Sequence, residues 1–98
     1  MGADLEADPT FYDRADGHIH LANEHSGNLG RGKVSASLMY GSARFQAWNA
    51  ACWADDAEEM RAKRDETVKY FVDQYRTMLE ENLDDYIEHF QKYMRPEA

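Results

Sequence analysis

Cysteine is almost missing from this sequence, with Cys52 the single one. An internal disulfide is therefore excluded, and so is a zinc cage built from the cysteines of one chain. The position of Cys52 in an apolar helical run suggests a small buried hydrophobe, since only Arg44, two turns away, supplies a nearby positive charge. Long hydrophobic runs are missing as well. No stretch of 18 purely apolar residues occurs, so no transmembrane helix is expected. The start of the chain is acidic and has no apolar core, unlike a signal peptide. Glu6 also stands where a myristoylation signal on Gly2 needs Ser or Thr. A reducing, cytoplasmic setting is the expectation. Basic side chains are the minority, 11 against 19 acidic ones, for a net charge of −8. Such a surface repels phosphate backbones and anionic lipid, which argues against nucleic acid and membrane as partners and favours a basic one.

The last scarcity concerns helix breakers. No Gly or Pro occurs between Asp56 and Met94, and in that stretch apolar residues recur at helical spacing. Val68, Val72 and Tyr75 are repeated eleven residues later by Leu79, Leu83 and Tyr86, and the series runs on into Phe90 and Met94. Eleven residues make three turns of a nearly straight helix, so the eight side chains form one stripe. The charged side chains mostly lie outside it, as in an amphipathic helix that buries one face. Asp55 followed by Glu58 reads as a capping box at its start. Unbroken, Asp56 to Met94 would span roughly 58 Å at 1.5 Å per residue, longer than any earlier helix can cover. Either it breaks near Asn82, or its second half, with Leu83, Tyr86, Phe90 and Met94, projects to meet another copy.

Upstream, Asp8-Pro9 signals a helix start, and helix 1 is expected from Pro9 to about His25. Gly27 to Lys33 reads as a connection of about seven residues between two antiparallel helices. Helix 2 is expected from about Lys33 to Ala54. Arg44 is the only charge between Lys33 and Asp55, so this helix has almost no solvent face and suits the centre of a bundle or a subunit interface. Arg44 itself is expected to pair with a carboxylate of a neighbouring helix. Gly41 suggests a close helix approach. The reading is an all-α fold. It consists of a small bundle of two antiparallel helices and a long C-terminal helix, with a single domain over 9–95, a mobile leader over 1–8 and a loose tail over 96–98.

Three constellations carry possible chemistry. Gly27-Asn28-Leu29-Gly30-Arg31-Gly32-Lys33 fits the spacing of a phosphate-binding loop, but Val34 replaces the magnesium-holding Ser or Thr and no strand precedes it. A simpler anion site at Arg31 and Lys33, at the positive end of helix 2, remains. Asp13, Asp16, His20 and Glu24 follow one another at helical spacing and can ligate a divalent metal such as zinc or manganese. The plain alternative is a solvated polar face. The aromatics of the last two helices serve as core or as an interface. No nucleophile arrangement is evident, because Ser35, Ser37 and Ser42 have no local His.

Three strings are more specific than helix composition alone would produce. They are Phe11-Tyr12-Asp13-Arg14-Ala15-Asp16, Arg31 to Ser37 with Met39-Tyr40 and Ala43-Arg44-Phe45, and Met78 to Tyr86. In these the chain resembles a family of small bacterial proteins of unknown function. The resemblance covers nearly all of Phe11 to Met94 and implies a stand-alone bacterial domain, with no catalytic residues to carry over. The functional expectation is a non-enzymatic interaction module, acidic and homodimeric. The alternative is a metal-binding protein or metal-dependent enzyme using the Asp13, Asp16, His20 and Glu24 stripe.

Overall fold

A computed structural model describes residues 8–97. The leader expected over 1–8 lies, Asp8 aside, outside them, as does Ala98. The described residues are almost entirely helical, in the order α1 (Phe11–Leu29), α2 (Arg31–Trp53), α3 (Ala57–Ala62), α4 (Arg64–Glu88) and α5 (Phe90–Met94), and the all-α expectation holds. The chain divides into two compact units after Asn49.

In the first unit, α1 begins two residues after Pro9. The Asp8 carboxylate accepts from the Thr10 amide at 3.3 Å and pairs with the Arg14 guanidinium. That hydrogen bond with Arg14 holds the Asp8 carboxyl below the ordinary carboxylate range. The helix then runs four residues beyond His25. The seven-residue connection expected over Gly27 to Lys33 is not there. Gly27, Asn28 and Leu29 extend α1, Arg31 opens α2, and Gly30 alone is non-helical. Asn, Leu, Arg and Lys are all tolerated in helices, so one residue with unusual torsions is enough to separate the two.

Gly30 has φ 91° and ψ 152°, a region that only glycine occupies without strain. A Cβ built there meets no atom within 4 Å, so the penalty of a side chain is in the backbone alone. Gly30→Ala is expected to cost about 1–3 kcal/mol, measured by urea denaturation. Gly17→Ala, in the interior of α1 and equally unobstructed, should instead stabilise by roughly 0.5–1 kcal/mol. Gly41 also has open space around its Cα. The close helix approach expected at Gly41 is absent among the described residues.

The second unit holds the end of α2 and the long helical stretch. Its cap lies one residue later than expected. Asp56, not Asp55, accepts from the Glu59 amide at 2.8 Å, while Glu59 Oε1 accepts from the Asp55 amide at 2.6 Å. Both Asp-x-x-Glu pairs satisfy the sequence pattern, and the second encloses the free amides reciprocally. The stretch is interrupted, but not at Asn82, which lies inside α4 with its side-chain amide donating to the Met78 carbonyl at 2.7 Å. The interruptions fall at Lys63 and His89. Around them the Lys63, Thr67, His89 and Tyr93 amides still reach carbonyls four residues back, at 2.9–3.2 Å, so these are local bends of one path. At the second bend His89 Nδ1 lies 3.2 Å from the Asp85 carbonyl that already accepts the His89 amide. A side chain inserted into the backbone ladder is a known cause of bending.

Burial is sparse. Val34, 5% exposed, is the one buried hydrophobic side chain among the described residues. Cys52 is exposed rather than buried, because the face of α2 that carries it is not covered. For the same reason Arg44 meets no carboxylate of a neighbouring helix among the described residues.

Candidate functional site

The eleven-residue stripe is present at the spacing the sequence predicts, and it is open. Val68, Val72, Tyr75, Leu79, Leu83 and Tyr86 all lie within α4, and each is 43–55% exposed. An amphipathic helix forms because its apolar face gains on burial, at roughly 25 cal/mol per Å². Within the second unit that face is left about half exposed. Phe90 and Met94 continue the face onto α5 at 50% and 46% exposure. The expected interface residues Leu83, Tyr86, Phe90 and Met94 are thus the second half of a longer open surface. Ion pairs line its solvent side, Lys69 to Asp73 at 2.6 Å and Arg76 to Glu80 at 3.9 Å. They are exposed, and such pairs contribute at most about 1 kcal/mol.

The α4–α5 junction holds a polar cluster that residue spacing does not announce. Asp85 takes the Tyr93 hydroxyl at 3.2 Å and faces His89 Nδ1 at 3.0 Å, while His89 Nε2 lies 3.5 Å from Glu88. The Tyr93 ring stacks obliquely on Tyr86, with centroids 4.9 Å apart. The hydrogen bond to Asp85, whose negative charge adds to it, raises the pKa of the Tyr93 hydroxyl above that of an ordinary tyrosine. The i, i+4 spacing of Asp85 and His89 is visible in the sequence, but Tyr93 reaches Asp85 from eight residues away across the bend, and the bend itself carries no Gly or Pro signal. The cluster fixes the angle of α5 and the end of the apolar face.

The remaining candidates are dispersed. On α1, His20 Nε2 approaches Glu24 at 3.6 Å, while among the described residues no ion pair joins Asp13 or Asp16 to His20. Among the described residues no three His, Cys, Asp or Glu side chains converge as a metal site would require. Arg31 and Lys33 lie exposed in the first turn of α2. A small cleft of about 120 Å³ lies in the second unit beside Trp53, Met60 and Thr67, with Glu59 and Lys63 paired at 3.7 Å on its wall. Ligand pockets are usually about 300 Å³ or larger, so it holds little more than solvent. None of the helices among the described residues is long and apolar enough to cross a membrane.

The fold and this surface define an all-α protein whose main helix carries an uncovered apolar face. The chain belongs to a family of proteins of unknown function, DUF3144, whose family model matches residues 11–87. The match takes in α1, α2 and α3 and reaches the last turn of α4. Comparisons with curated proteins and with solved structures gave no significant match.

Proposed function

We propose that this protein is a non-enzymatic helical interaction module that self-associates as a homodimer and presents an acidic surface to a further, basic protein partner in the cytoplasm. The observation that carries this reading is the mismatch between apolar content and burial. Apolar residues make up 43% of the chain, yet Val34 is the one buried hydrophobic among the described residues. Isolated exposed hydrophobics are ordinary, but a contiguous face of them marks an association site. α2 supports the same reading, because Leu38, Met39, Tyr40, Phe45, Trp48 and Trp53 are all at least 47% exposed on a helix with a single charge beyond its first turn. In the associated form, the second copy covers the apolar face of α4. The acids of α4's second half, Glu80, Glu81, Asp84, Asp85 and Glu88, then supply the outward charge. The chain mass is 11.3 kDa. Light scattering after size exclusion should give about twice that mass at micromolar concentration. A monomer at about 100 micromolar, two decades above a micromolar Kd, overturns the proposal.

A further inference from the structure

We draw no further inference here: the strongest candidate, the apolar face of α4 formed by Val68, Val72, Tyr75, Leu79, Leu83 and Tyr86, carries nothing beyond the self-association proposed above, because nothing in the structure shows what covers it.

Discussion

A chain carrying Leu79→Asp and Leu83→Asp is expected to lose the dimer at every accessible concentration. Both leucines lie near the middle of the α4 stripe, 43% and 53% exposed in the single chain. Burying a whole leucine contributes about 1.5–3 kcal/mol, so these half-exposed ones gain about half of that on association, and two positions in two copies remove four such gains. Even the lower figure gives about 3 kcal/mol, about two decades in Kd. The introduced carboxylates add to this, since burying an unpaired charge costs more than losing a methyl group. Asp84→Ala and Glu81→Ala, on the solvent side of the same helix, should leave the mass unchanged apart from a small electrostatic effect. Light scattering on the three chains separates the outcomes. A dimer that persists in the double aspartate variant shows that some other face holds the copies together. Because that variant can also lose its fold, Leu79→Ala and Leu83→Ala singly serve as milder probes. Each should weaken association by about 2 kcal/mol or more while keeping the helical circular dichroism signal.

The α4 stripe is legible in the sequence because its signal is periodic and long. An eleven-residue repeat survives errors of a residue at either end, and periodicity alone singles out Leu83, Tyr86, Phe90 and Met94. Val68, Val72 and Tyr75 share the exposure of Leu83 and Tyr86. Boundaries are less legible, for local reasons. Asp55 and Asp56 each have a glutamate three residues on, so spacing does not choose between them, and the reciprocal bond from the Asp55 amide to Glu59 does. The glycines from Gly27 to Gly32 look like a loop because glycine is costly in helices, yet that cost is about 1 kcal/mol each and the flanking residues absorb it.

A break at Asn82 is suggested by its capping propensity. In α4 its side chain bonds back to Met78 and helix continues through it, while the bend appears at His89, where Asp85 receives both the backbone and the ring. That geometry depends on a tertiary angle and a rotamer, neither of which is written in residue spacing. The same holds for the α1 stripe. Asp13, Asp16, His20 and Glu24 share a face by periodicity, but convergence on one point needs ligands from facing helices. A single helix brings only His20 and Glu24 into reach.

Dilution should unfold the wild-type chain. Ordering one residue costs about 1–2 kcal/mol of backbone entropy, and a buried valine such as Val34 contributes about 1.5–3 kcal/mol. That one core side chain therefore offsets the ordering of only one or two residues, and the helices themselves are marginal in water without a packed face. In the proposed dimer the further burial comes from the faces of α2 and α4 when the copies meet, which couples folding to association. For such a protein the melting temperature depends on concentration. A tenfold increase is worth about 1.4 kcal/mol, which for a dimer of this size corresponds to a rise of about 3–5 °C. Circular dichroism melts across three decades of concentration should show that slope, with the helical signal falling at the dilute end before heating begins. Superimposable melts would mean that the single chain buries its own apolar faces, and the α4 stripe would then be a core surface. The double aspartate variant distinguishes the two cases from the other side. In a self-sufficient fold it would unfold without any dependence on concentration, and in a coupled dimer it would behave at high concentration as the wild type does when dilute.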